Sequence, residues 1–221
     1  MNKPCAYCGK TDTPRHSGHV IPKSLYPKSP PGDVQRPTVP ECESCRKIWT
    51  DAETRFRNIL VIAGDPNPAV SEKWDTVTRS FGKPSGRKWL LDLSDTMIPV
   101  ETETGQRHMV YPYKDPCVNL VLRKIVRGLS AYHKLGDSIP DERVWVGYAP
   151  DSLPQPIRTD MLVYSLGDDF VRYGYMLFDD EIDIRSGWLI RLYGSRDFIG
   201  MISKSGDAKG KYGPLFNPPT C

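Results

Sequence analysis

Cys5-Ala-Tyr-Cys8-Gly9 and, 33 residues later, Cys42-Glu-Ser-Cys45 are the stretches whose reading decides the N-terminal fold. A C-x2-C turn sets two thiolates on one side of a tight knuckle. A glycine after the second cysteine lets the backbone turn under the sulfurs. Two such knuckles complete a tetrahedral four-sulfur site suited to Zn²⁺, with Cys5, Cys8, Cys42 and Cys45 as ligands. The competing reading is two separate redox pairs. Cys117 and Cys221 have no partner at ligand spacing; the first reads as a small apolar helix residue and the second as a tail residue.

The segment between the knuckles needs such a staple. Ten of the 21 prolines fall within residues 1–68. Each proline removes a backbone donor and fixes φ, so long helices are excluded there and loops with short hairpin strands are expected. Zinc binding energy would then serve as folding energy. Working outward, Ile48, Trp49, Ala52, Phe56, Ile59, Leu60 and Ala63 keep helical spacing over residues 42–63, with Gly64 as a stop. A second helix is expected over 70–81, strands over 88–113 with a break near Gly105, and a long helix from Asp115-Pro116 to residue 135, closed by Gly136. Pro140 to Pro156 reads as a connection. Strands follow over 161–167, 170–178, 187–194 and 198–203, then a loose tail. The fold class is therefore α+β: a zinc-stapled N-terminal unit (1–64), a connecting region (65–114) and a C-terminal helix with an antiparallel sheet (115–221).

The 221 residues carry 38% hydrophobic and 26% charged side chains, which excludes global disorder. No apolar run is long enough to cross a membrane, and no apolar run follows Met1. The expectation is thus a cytoplasmic chain with no membrane partner. The net charge of +3 is unevenly placed. Residues 1–63 hold ten basic and six acidic side chains, residues 64–114 seven of each, and residues 115–221 thirteen and fourteen. The positive charge belongs to the cysteine-framed end, a modest electrostatic footprint for nucleic acid.

Inside the frame lies His16-Ser-Gly-His19-Val-Ile-Pro22-Lys23. Histidine is the side chain best placed to act as a base near neutral pH. Lys23, Lys28, Arg36, Arg46, Arg55 and Arg57 flank it and could hold phosphates. A base, a divalent metal and cationic clamps are the parts of metal-assisted phosphodiester hydrolysis.

Cys5-x2-Cys8, His19-Val-Ile-Pro-Lys-Ser-Leu-Tyr-Pro, Thr38-Val-Pro-x-Cys42-x2-Cys45 and Trp49-Thr-Asp51-Ala-Glu53-Thr-Arg-Phe56-Arg57 together resemble an HNH endonuclease, in particular bacterial HNH-type proteins with paired zinc knuckles. Arg123-Lys-Ile-Val-Arg-Gly128-Leu129 is similar to their companion helix. The resemblance implies a ββα-metal finger that hydrolyses DNA, with His19 as the general base. It implies Cys5, Cys8, Cys42 and Cys45 as structural zinc ligands, and Glu53, or Asp51 beside it, as a late ligand to a catalytic Mg²⁺ or other divalent metal. Two positions depart from the pattern. Gly18 stands where an acidic metal ligand is usual, and Arg46 where an asparagine orients the base. His16 could supply a ligand in place of the missing acid, and Arg46 could bind phosphate. Lys23, Arg46, Arg55 and Arg57 are the candidate nucleic-acid contacts. The alternative is a degenerate HNH zinc module that binds nucleic acid or a protein partner without cleavage; a purely structural zinc protein is the third class.

Several features have plainer readings. Asp51 and Glu53 lie near a helix N-terminus, where the dipole favours acids. Trp49 and Phe56 sit at core spacing. His108 and His133 read as a strand-surface residue and a helix-end residue. Tyr164, Phe170, Tyr173, Tyr175 and Phe178 fit the packed face of a sheet better than a base-stacking platform, and Asp179-Asp180-Glu181 with Asp183 reads as a solvated connection.

Overall fold

The computed structural model describes residues 3–11, 15–26, 35–62, 67–101, 105, 107–110, 115–149, 161–167, 170–179, 182–194 and 196–206. Lys28, Asp180, Glu181, Gly64 and the tail with Cys221 lie outside them. Strands β1 (Arg15–His19) and β2 (Thr38–Cys42) form an antiparallel pair in which His16 faces Glu41 and Gly18 faces Val39. Helix α1 (Glu43–Ile62) follows β2 directly. Helices α2 (Pro68–Phe81) and α3 (Pro84–Thr96) and the hairpin β3 (Ile98–Glu101) and β4 (Arg107–Val110) come next. Helix α4 (Pro116–Tyr132) leads to a five-stranded antiparallel sheet of order β5-β9-β8-β7-β6, made of β5 (Val144–Tyr148), β6 (Leu162–Leu166), β7 (Val171–Leu177), β8 (Ile184–Leu192) and β9 (Arg196–Ser203). This is the expected α+β architecture, a ββα unit beside the four cysteines followed by a helix and an antiparallel sheet.

Three local expectations are corrected. Residues 88–96, read as the start of a strand region, belong to α3. Pro84 in its first turn is pre-set for helix, and Trp89 stacks on Phe81 of α2 with ring centroids 5.6 Å apart. Strand β5 arises inside the Pro140–Pro156 stretch read as connection. Its Val144, Trp145 and Val146 are all buried, because β5 pairs with β9 in register from Val144–Ile202 to Tyr148–Phe198. The long helix also stops earlier than Gly136 proposed: His133 caps it and Lys134 takes the left-handed turn at φ 59°.

The helix ends are held by side chains that reach other elements. Asp115 accepts from the amides of Cys117 (2.7 Å) and Val118 (3.1 Å), an N-cap, and its other oxygen pairs with Arg55 of α1 at 3.1 Å. Asn67 caps α2 by accepting from Val70 N–H and donates to the Tyr193 carbonyl at the end of the sheet.

One apolar core runs from the cysteine knuckles through α1 and α4 to the sheet. Helix α4 is its axis: every residue from Val121 to Ser130 except Arg123 is buried, on all sides of the helix. Phe56 of α1 meets Phe198 of β9 at 6.2 Å, and Tyr26 meets Phe170 at 5.1 Å. Tyr193 donates to the Leu25 carbonyl at 3.0 Å. Trp49 and Phe56 are core, and Phe170, Tyr173 and Tyr175 are buried on the packed face of the sheet. His133, at the end of α4, is set among Tyr164, Tyr173 and Tyr175, with Nε2 3.0 Å from the Tyr173 hydroxyl.

Phe56 has no exposed surface and joins the finger helix to the sheet. Phe56→Ala should lower the unfolding free energy by about 3–5 kcal/mol. Urea denaturation read by both far-ultraviolet circular dichroism and tryptophan fluorescence checks this, and the two probes should shift together because the core is shared.

Candidate functional site

The four expected sulfurs converge. Those of Cys5, Cys8, Cys42 and Cys45 all lie within 4.8 Å of one another, with Cys8 and Cys42 3.6 Å apart. A tetrahedral zinc–thiolate site, at about 2.3 Å per bond, places its sulfurs about 3.8 Å apart, so the set fits Zn²⁺. The first knuckle is built by backbone: Gly9 N–H donates to the Cys5 carbonyl (2.9 Å), Cys5 N–H donates to Lys10 O (3.0 Å), and Gly9 turns at φ 72°. It is fastened to β2 by Ala6 N–H on Pro40 O (2.8 Å) and to the loop after α4 by Ser138, whose N–H donates to Ala6 O and whose hydroxyl donates to Cys5 O. The second knuckle opens α1. Burial works against the Cys42 thiolate, but the Ser44 hydroxyl at 3.1 Å, the Cys45 amide and the adjacent thiols outweigh it and bring the thiol down to about 6. Cysteine in that state is a ready metal ligand. The chain is thus a zinc-binding ββα-type module carried on a larger α+β body.

Beside the cluster, β1, β2, α1 and α4 enclose a cleft of about 400 Å³ whose lining includes His16, His19, Lys23, Glu41, Arg46, Glu53 and Lys124. His19, the last residue of β1, is half-buried. Its Nδ1 is buried without a hydrogen-bond partner among the described residues. Burial first, then the cations Arg36, Lys23 and Lys124, push the imidazole below its ordinary range, against the pull of Glu53. His19 is therefore neutral at pH 7, able to accept or donate one proton.

His16 takes a different place, 3.4 Å from Glu43 at the mouth of the cleft. Arg46 is 3.6 Å from the same carboxylate. Asp51 is solvent-exposed and takes no part in the cleft lining. Glu53 does face the cleft, and its Oε1 is 2.5 Å from Lys124 Nζ. Lys23 and Arg46 are exposed cations at the rim. Arg55 faces away, onto Asp115, and Arg57 donates twice to Asn58 Oδ1 at 3.0 and 2.7 Å.

Two cleft residues were not singled out from the sequence. Lys124 of α4 is 4% exposed, and its ammonium also donates to the His19 carbonyl at 3.1 Å. Its signal is a lysine set within the apolar run Val121-Leu122-x-x-Ile125. Glu41 of β2 is 3% exposed, and its Oε1 has no hydrogen-bond partner among the described residues. Its signal is a strand position in phase with buried Val39. Burial raises the Glu41 carboxyl, with Lys124 opposing and Glu53 reinforcing that shift. Glu41 also explains Gly18. A Cβ on Gly18 would sit 2.5 Å from Glu41 Oε2 and 2.7 Å from Glu41 Cβ, so the glutamate occupies the space that a side chain at position 18 would need.

The donor set for a second metal does not assemble. Among the described residues, the four cysteines are the one group of three or more His, Cys, Asp or Glu side chains whose ligand atoms lie close enough to share an ion. His16 is turned to Glu43, Asp51 to solvent, and Glu53 holds an ammonium. The residues present do not fit the catalytic divalent metal that the HNH resemblance implies.

Cys42→Ser should drop bound zinc from one ion per chain to well below one and loosen residues 5–62, read by metal analysis and proteolysis; acidification should release zinc as thiolates protonate. Searches against protein-family models, curated proteins and solved structures return no match to this chain.

Proposed function

We propose that this protein is an HNH-type finger that binds the phosphodiester backbone of DNA in the cleft beside its zinc cluster and does so without metal-dependent cleavage. The observation that carries this reading is the grouping of His19, Lys23, Arg46 and Lys124 on one cleft of a zinc-stapled ββα unit. The rim cations Lys23 and Arg46 are long, exposed side chains that can reach phosphate oxygens, Arg46 through a planar fork and Lys23 as a point charge. The neutral imidazole of His19 adds one hydrogen bond and, unlike a charged group, leaves the cleft's net charge unchanged. The lining itself carries three cations, Lys23, Arg46 and Lys124, against Glu41 and Glu53, with Glu43 facing Arg46 at the mouth.

Hydrolysis is the second reading, and the placement of a neutral His19 in the same cleft is what favours it. In that reading His19 takes a proton from water as its oxygen attacks phosphorus and the bond from phosphorus to the 3′-oxygen breaks, the leaving oxygen taking up a proton from solvent.

The two readings separate in one pair of assays. The zinc-loaded protein should retard duplex DNA while leaving supercoiled plasmid intact in Mg²⁺, Mn²⁺ or Ca²⁺. Lys23→Ala and Arg46→Ala should each weaken binding uniformly across sequences and reduce the slope of log K against log salt by about 1. Plasmid nicking that His19→Ala abolishes, with zinc content unchanged, would establish the hydrolytic reading instead. Absence of both binding and nicking would leave a structural zinc protein.

A further inference from the structure

We propose that the Lys124 ammonium takes the place of the divalent cation in this finger, so that the cleft carries its own fixed positive charge and uses no second metal. The inference deepens the DNA-binding reading above and rests on it for the identity of the ligand.

Three placements carry it. First, Lys124 Nζ lies between the two elements that frame the cleft, 2.5 Å from Glu53 Oε1 on α1 and 3.1 Å from the His19 carbonyl at the end of β1. A metal ion bound by Glu53 would have to displace that ammonium from its carboxylate. Second, the lysine is built in. Its side chain is 4% exposed, and it comes from α4, the most buried of the described helices. A buried charge is stable only where its partners compensate the lost hydration, and removing one partner leaves the other uncompensated. Taking Glu53 away from Lys124 would therefore leave a buried ammonium short of a partner. Third, a second carboxylate comes to the same cleft from β2. Glu41 is 97% buried by its 3% exposure, lies over Gly18, and has an oxygen with no hydrogen-bond partner among the described residues. A buried carboxylate, Glu41, and a partly buried one, Glu53, around one cleft call for positive charge, and α4 supplies it as an amine rather than leaving it to solution.

The ammonium has three N–H bonds and spends two on Glu53 and the His19 carbonyl, which leaves one for a ligand oxygen. An anion in the cleft would thus meet Lys23 and Arg46 at the rim and Lys124 at the floor. No step of this kind needs an ion from solution, and the position of the charge is set by the fold.

The test is a Mn²⁺ titration of the zinc-loaded full chain, followed by electron paramagnetic resonance and by paramagnetic broadening of the histidine ring signals. The wild type should show no saturable Mn²⁺ site in the cleft, and added Mg²⁺ should not strengthen its DNA binding, acting only as a competing counterion. Lys124→Met, which keeps the length and removes the charge, should create a saturable Mn²⁺ site that broadens His19 and that a further Glu53→Gln removes. The same variant should bind DNA about tenfold more weakly without Mn²⁺. A saturable site in the wild type that broadens His19 and is lost in Glu53→Gln would overturn the proposal, and this arm does not depend on whether the Lys124 variant folds. A folded, zinc-loaded Lys124→Met that gains no Mn²⁺ site would overturn it too. If the chain binds no DNA while the Mn²⁺ results stand, the DNA-binding reading falls and the built-in cation remains.

Discussion

The convergence of four cysteine sulfurs is the constraint on which the N-terminal half of the structure depends. Residues 9–41 separate Cys8 from Cys42, and their prolines exclude long helices there. The β1–β2 pair is only five residues long, and an isolated two-stranded hairpin is marginal in water. Tying both ends of the excursion to one tetrahedral cluster removes much of the chain entropy that this segment would otherwise retain. Strand β2 then runs straight into α1 through the second knuckle, so the helix axis, and with it the position of Glu53, is set by Cys42 and Cys45.

Helix α4 converts that finger into part of a larger body. Its buried basic residues anchor the finger: Arg127 donates to the Tyr7 carbonyl in the first knuckle at 2.5 Å, and Lys124 donates to the His19 carbonyl. Arg123 and Arg127 both reach Asp141, which ties the helix to the start of the sheet. The opposite side of α4 packs on β5 and β9, where Gly200 leaves room for Val126. Charge on a helix that is apolar elsewhere costs desolvation, which these carbonyl and carboxylate partners offset. The same pairing that stabilises the helix places an ammonium in the cleft.

Gly18 and Glu41 show how a departure from a sequence pattern can be structural in origin. Taken along the chain, Gly18 looks like the loss of an acid. Across the strand pair, the space it vacates is filled by a carboxylate from β2. The cleft has an acid, delivered from the neighbouring strand and buried rather than presented to solvent. Arg46 faces Glu43 at the mouth, together with His16. The exposed polar residues form a charged rim, and Glu53 is paired with buried Lys124.

By itself the sequence determined the local elements that have strong periodic or chemical signals. The cysteine spacing specified the knuckles, the three-to-four pattern specified α1 and α4, and alternation specified most of the large sheet, because these signals act between residues near in the chain or through one tetrahedral ion. It missed β5 and α3, whose states depend on a partner strand and on a stacked neighbour. Tertiary structure alone decided the cleft. Lys124 lies 71 residues from Glu53 in the chain and 105 from His19, and no local rule couples positions so far apart. Their meeting follows from the burial of α4, which forces its one deeply placed ammonium to find acceptors wherever the packed core offers them.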